Sequence, residues 1–326
     1  PLDWWNATCQ TIKAVIEKSG VSNQEVKAVG ISGQMHGLVM LDKEGNLLRR
    51  SIIWCDQRTA VECEEITQRV GQQRLIEITA NILRHKDKSG GYLIDKILDA
   101  AGQKGTGKWS VINAMELGMP LGLIATAVFE RSLSAQKDLR HQASRQYQCQ
   151  HTQPIYNKVE LVKNIFSALY ASKLVSYAQG FAVLQRASDA FDWHLDLASI
   201  ARMWRGGCII RSIFLNDIAA AFEATDKPKH LLLAPYFKEE MKTLLPGWKN
   251  LVAEAMKEEL PVPAFSSALN YFYSLTSADL PANLVQAQRD YFGAHTFERK
   301  DELRGQFFHE NWTGHGGDTK SGTYNV

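Results

Sequence analysis

Residues 158–189 read KVELVKNIFSALYASKLVSYAQGFAVLQRASD, and this stretch decides the fold class. Leu161, Val162, Ile165 and Leu169 step by three or four residues, the period of a helix with one apolar face. Outward from it, in both directions, the same period recurs. It predicts helices near 92–100, 108–117, 120–143, 194–204, 206–222, 235–257, 263–272 and 283–292. Strand signals are nearly absent from Leu93 onward, so this part of the chain is expected to be all-helical. Its last stretch, Phe307 to Val326, is rich in Gly, Ser, Thr and Asn and carries no core of its own. Such a tail lies over another surface or stays disordered.

Upstream the grammar changes. Trp4, Trp5, Thr8, Ile12, Val15 and Ile16 predict an amphipathic helix over 3–19. Short strand patterns follow at 26–32, 37–41 and 47–54, the last two joined by the turn Asp42-Lys43-Glu44-Gly45-Asn46. A helix is expected over 59–70. This is the opening of an α/β domain, and three short strands do not bury both faces of a sheet. The charged stretch Arg84 to Gly91 connects the two parts. The expected division is 1–80 and 81–326. The chain starts at Pro1, directly in an amphipathic segment, which suggests sequence upstream.

Composition narrows the function classes. With 45% hydrophobic and 22% charged residues, the chain reads as a soluble globular protein. Its net charge of +2 is too small for a general nucleic-acid binder. The longest apolar run, Met119 to Phe129, is about half a membrane span and contains Pro120 and Gly122. Nucleic acid and membrane are therefore not expected partners, and a cytoplasmic setting is the default. Five scattered cysteines with no CxxC pair indicate neither a disulfide framework nor a metal site.

Candidate binding residues fall in three places. Ile31 to Gly37 (ISGQMHG) would bring a backbone close to a ligand, with Gln34 and His36 able to bond hydroxyls. The alternative is a turn with one polar histidine. Asp56 and Arg58 stand at the next strand end, where Asp56 could equally cap a helix. Lys104-Gly105-Thr106-Gly107-Lys108-Trp109 precedes a helix and offers exposed N–H groups, two lysines and a hydroxyl. It reads as a phosphate cradle or as a flexible basic loop. It is no nucleotide P-loop, because Trp109 stands where a Ser/Thr hydroxyl would hold magnesium. Arg131 follows an apolar run and either snorkels or faces an anion. Arg289 and His295 flank Asp290-Tyr291-Phe292-Gly293-Ala294. Arginine suits bidentate phosphate binding, although such a pair is often structural.

Two resemblances organise these motifs. The strings GISGQMHG, LDKEGNLLR and IIWCDQRTAVECEEI resemble the N-terminal domain of xylulokinase, a sugar kinase with a ribonuclease-H-like fold, over about 3–80. That resemblance implies sugar contacts at Met35 and His36. The family's Asp-Gly-Thr phosphate loop, catalytic aspartate and ATP domain have no counterpart in these 326 residues, so kinase activity is not expected.

The strings GYLIDKILDAAGQKGTGKW, ALYASKLVSYAQGF, MWRGGCIIRS, LPANLVQAQRDYFGAHT and NWTGHGG, in that order, resemble the all-helical C-terminal domain of decarboxylating 6-phosphogluconate dehydrogenase over about 76–326. The expected fold class is thus mainly α, preceded by a small incomplete α/β fragment. The resemblance implies the pentose phosphate pathway and gluconate utilization. The reaction would be NADP-linked oxidation at C3 of 6-phosphogluconate, then loss of CO2 to give ribulose 5-phosphate. Carried over by position, Lys104, Thr106 and Arg131 hold the phosphate. Arg289 and His295 reach into the partner's site of a homodimer. Ser321, Gly322, Thr323 and Tyr324 lie in a tail that crosses to the partner's NADP. The family's Rossmann motif and its lysine base and glutamate acid have no counterpart here, so catalytic residues are not assigned. This chain alone is expected to be inactive, leaving a phosphosugar-binding or dimerisation module as the alternative. The string Leu75-Ile76-Glu77-Ile78-Thr79 fits both families and marks the seam of a chimera.

Overall fold

The computed structural model describes residues 2–20, 22, 74–147, 157–205, 212 and 214–315. The expected strands, the helix over 59–70, Met35, His36, Asp56, Arg58 and the tail residues Ser321 to Tyr324 lie outside the described residues. The chain divides into two compact units, Pro1–Gly71 and Gln72–Val326.

In the first unit the described part is helix α1, Leu2–Ser19, close to the expected 3–19. The second unit holds the other ten α-helices found among the described residues: α2 (Arg74–Arg84), α3 (Thr106–Glu116), α4 (Gly122–Ser134), α5 (Lys137–Tyr147), α6 (Lys158–Ala190), α7 (Leu197–Arg205), α8 (Leu215–Glu223), α9 (Pro235–Lys257), α10 (Pro263–Thr276) and α11 (Ala282–Gly293). No strand is assigned among the described residues, apart from isolated bridges at Lys86–Tyr92 and Phe297–Phe308. The mainly α reading holds for the part of the chain in view.

The core lies along α6 and α9. From α6, Ala168, Ala171, Leu174, Val175, Ala178 and Phe181 are buried. The alanines keep that face low enough for α9 to pack closely with Phe237, Met241, Leu244, Trp248 and Leu251. At Gly247 the approach is closest, since a Cβ there would sit 2.7 Å from the Ser167 hydroxyl. Trp248, fully buried, fills the space beside this contact. Asn157 caps α6 by accepting from the Glu160 N–H at 3.1 Å. Asp196 caps α7 by accepting from the amides of Ala198 and Ser199, and α7 then packs its buried Leu197, Ala198 and Ala201 toward α8.

Three expected helices come out differently. The predicted 206–222 helix begins only at Leu215, with Ser212 non-helical and Phe214 in a turn. The predicted 92–100 helix shrinks to a 3-10 turn at Leu93–Lys96. Lys86 and Tyr92 form a bridge, and Leu93 N–H donates to the His85 carbonyl, which commits the backbone to a closed loop before a helix can start. Lys96 also binds Asp87 across that loop. The predicted 120–143 helix is two helices, α4 and α5, broken at Ala135-Gln136. Arg140 of α5 donates back to the Ser134 carbonyl at 3.2 Å and holds the corner. Conversely, α2 was not foreseen as a helix. It runs through the seam string and continues past it to Arg84.

Candidate functional site

The loop Asp99–Gly105 and the start of α3 are held at two points against α4. On the near side, Ala101 N–H donates to the Ser134 hydroxyl at 2.9 Å. Asp99 is paired with Lys137 and with Arg140, the latter at 2.6 Å. Those two partners, Lys137 first, hold its carboxyl well below the usual carboxylate range. On the far side, a Cβ at Gly107 would lie 2.9 Å from Val128 Cγ2, so only glycine permits α3 to sit this close to α4. Lys104 and Thr106 fall between these two tethers in sequence. Arg131 falls midway between Val128 and Ser134 on α4. Lys104, Thr106 and Arg131 are all three exposed.

Gly105 precedes α3 with φ +110°, a left-handed conformation that a glycine adopts without strain. No side chain of the cap residue satisfies the first amides of α3. Among the described residues, neither Lys104 nor Arg131 has a carboxylate partner. A helix start with unsatisfied N–H groups, two unpaired cations and a hydroxyl is a suitable anion seat.

Helix α6 braces this corner from below. The buried Gln179 accepts from Leu123 N–H at 3.2 Å and so caps the first turn of α4 from outside. At its other end, Arg186 donates to the Leu117 carbonyl at the close of α3, at 3.4 Å. Helix α10 packs on both α4 and α6. Sequence reading singled out Lys104, Thr106 and Arg131 and missed Gln179. Its glutamine-in-helix setting carries no signal of a partner 56 residues away.

Arg289 and His295 belong to a second group of contacts, at the C-terminal end of α11. Arg289 donates to Gln286 at 3.0 Å, and Gln286 donates in turn to the Thr296 carbonyl. The His295 ring lies over Gly293, where a Cβ would be 2.9 Å from its Nε2. Arg289 is exposed and His295 half-buried. Among the described residues no group of His, Cys, Asp and Glu could hold a metal ion, and no helix is long and apolar enough to cross a membrane.

The chain matches the family model described as 6-phosphogluconate dehydrogenase, C-terminal domain, over residues 45–312. It also matches the N-terminal domain of the FGGY family of carbohydrate kinases over residues 1–87. It is 54% identical over 258 residues to 6-phosphogluconate dehydrogenase, decarboxylating, of Treponema pallidum, covering 77% of this chain and 53% of that protein. The sheep enzyme of the same name is 48% identical over 253 residues, covering 77% of this chain and 52% of that protein. The chain thus spans about half the length of the curated relatives it matches. Among solved structures, 6-phosphogluconate dehydrogenase of Plasmodium falciparum superposes with a TM-score of 0.70 at 39% identity, covering 79% of this chain and 60% of that one. That enzyme was solved in its apo form, with its cofactor NADP+ and with its substrate 6-phosphogluconate.

Proposed function

The chain belongs to the 6-phosphogluconate dehydrogenase family through its C-terminal domain, and on that premise we propose that it binds 6-phosphogluconate by the phosphate without oxidising it as a 326-residue polypeptide. The observation that carries this reading is the contact of Gly107 with Val128. It brings the start of α3, which carries Thr106 and follows Lys104, close to α4, which carries Arg131. Lysine and arginine supply charge-assisted bonds to the phosphate oxygens, the Thr106 hydroxyl a further one, and the open N–H groups of α3 complete the seat. Arg289 and His295 supply a second grip, contributed across a homodimer to the partner's site. The tail residues Ser321, Gly322, Thr323 and Tyr324 cross in the same direction toward the partner's NADP.

The fit to NADP is poor within the residues described. They include no strand-to-helix crevice with a glycine-rich turn, the usual seat of a dinucleotide. No step of this proposal therefore runs through the nucleotide. The family reaction, in the pentose phosphate pathway, needs a base, an acid and a bound hydride acceptor, for which these 326 residues supply no counterpart. We keep the seam between the two family grammars at 75–81, within α2, with xylulokinase as the kinase-family relative of residues 1–80. A cytoplasmic setting follows from the same reading.

The test is calorimetric titration of the purified chain with 6-phosphogluconate, alongside absorbance of NADPH in the presence of NADP+. Binding without NADPH is expected. NADPH production at the rate of an intact family enzyme overturns the non-catalytic part, and absence of binding overturns the phosphosugar seat.

A further inference from the structure

The end of α11 is built around one carboxylate. Asp290 is fully buried, and both of its oxygens are occupied. Oδ1 accepts from Thr296 N–H at 2.8 Å and lies 3.0 Å from His309 Nδ1. Oδ2 accepts from Glu310 N–H at 3.1 Å and from the Trp312 indole N–H at 2.8 Å. These partners come from two separated stretches, 294–297 and 308–312. The two are also zipped to each other by reciprocal backbone bonds of 2.8 Å between Phe297 and Phe308. Phe297 and Trp312 stack behind them at 6.1 Å.

His295 rides on this assembly. Ala294 and Thr296, on either side of it, both have positive φ, 50° and 63°. Neither is a glycine, so a chain left to itself would relax out of this conformation. The Thr296 amide bond to Asp290 and the Ala294 amide bond to the Asp290 carbonyl, at 2.8 Å, hold it in place. The result presses the His295 ring onto Gly293 and points the Thr296 carbonyl at Gln286, which orients Arg289.

We propose that Asp290 is a positioning residue for phosphosugar binding: from the buried side of α11 it fixes the pose of His295 and Arg289, and it anchors the root of the C-terminal tail through Trp312. The proposal rests on the reading of His295 and Arg289 as ligand contacts. Asp290 itself touches no ligand in it. One carboxylate then aligns both the loop offered to the sugar acid and the segment from which the tail departs.

The experiment is a double-mutant cycle on the full 326-residue chain, read by titration with 6-phosphogluconate. His295→Ala is expected to weaken binding about tenfold, and Asp290→Asn by a similar factor. The double variant is expected to lose clearly less than the product of the two single losses, because Asp290 acts in part through His295. Trp312→Phe removes one indole bond to the carboxylate at little risk to folding. It is expected to cost about threefold in the wild-type background and less than that beside His295→Ala. The indole and amide NMR signals of Trp248 and its neighbours report whether the α6–α9 core is intact. A loss from Asp290→Asn or Trp312→Phe that persists in full when His295 is already alanine overturns the proposal, as does wild-type affinity in both. If His295→Ala binds as the unaltered chain does, or that chain does not bind, the ligand-contact reading itself falls and takes this one with it.

Discussion

Replacing Gly107 with valine tests the phosphate corner without touching any residue that would contact phosphate. A Cβ at this position would start 2.9 Å from Val128 Cγ2, against about 3.5–4.0 Å for carbon atoms at rest. Two further methyl groups point into the same gap. Val128 is β-branched and has little rotameric freedom within α4, so the helices must separate by something on the order of 1 Å. Overpacking of this kind costs about 1–3 kcal/mol, and the helix-propensity gain of replacing glycine offsets only a few tenths of it. A loss of about 2–4 °C in Tm per kcal/mol follows for a unit of this size. The displacement moves Lys104 and Thr106 away from Arg131, and affinity for 6-phosphogluconate should fall at least about fivefold. The built-in control is Gly102→Ala, whose Cβ meets nothing within 4 Å and should stay within about 0.5 kcal/mol of wild type. Thermal unfolding and calorimetry on the three chains decide it. If Gly107→Val binds 6-phosphogluconate as tightly as Gly102→Ala does, the corner is not the seat of the phosphate.

Lys104→Ala should weaken 6-phosphogluconate binding by about 1–3 kcal/mol through loss of a charge-assisted bond, with the melting temperature unchanged; equal affinity in the titration removes Lys104 from the site. Burial pushes the Asp290 carboxyl up, but its bonds from Glu310, His309, Trp312 and Thr296 outweigh that and hold it at about 2, below the ordinary value of 3.8. A depressed carboxyl stabilises the fold fully above its unfolded value and loses that contribution as pH falls toward 2, here about 2 kcal/mol in all. Amide exchange of Thr296 and Glu310 should therefore accelerate between about pH 4 and 2, and exchange independent of pH after correction for intrinsic rates contradicts the assignment. Trp248→Ala should cost about 3–5 kcal/mol in urea unfolding, as for a large aromatic removed from a packed core; a cost below 1 kcal/mol would mean the α6–α9 contact is not the core.

Periodicity carried the helical half well, because an apolar stripe is a local signal. Residues 158–189 were legible as α6 to within a residue at each end, and α9 matched its predicted 235–257 bounds. The failures share a cause. At 92–100 the apolar spacing of Leu93, Ile94, Ile97 and Leu98 suits a helix, but the Lys86–Tyr92 bridge had already spent the backbone. At 135–136 no proline or glycine announces a break. It is made by Arg140 and Lys137 reaching Asp99, some forty residues away. The site shows the same division. Lys104, Thr106, Arg131, Arg289 and His295 were readable as charges and hydroxyls in suggestive company. Asp290 was readable only as a residue between Arg289 and His295, since its partners stand 6 to 22 residues downstream. Gln179 looked like one more polar residue on a long helix.

Those two unforeseen residues, Gln179 and Asp290, take part in bonds that frame their surroundings from nearby helices and loops. Among the described residues, the hydrogen bonds that frame the α3–α4 corner run between residues 99 and 186: Ala101 to Ser134, Arg140 to Asp99, Leu123 to Gln179, Arg186 to Leu117. The bonds to Asp290 and Gln286 at the α11 end run between residues 286 and 312. On the first turns of α6, Val159, Val162 and Phe166 share a face and stand 67%, 57% and 53% exposed. Helical spacing at i, i+3 and i+7 with this exposure is what an amphipathic helix shows when its packing partner is absent. Hydrogen-bonded geometry of this kind is framed locally, whereas an exposed apolar stripe takes its complement from a packing partner.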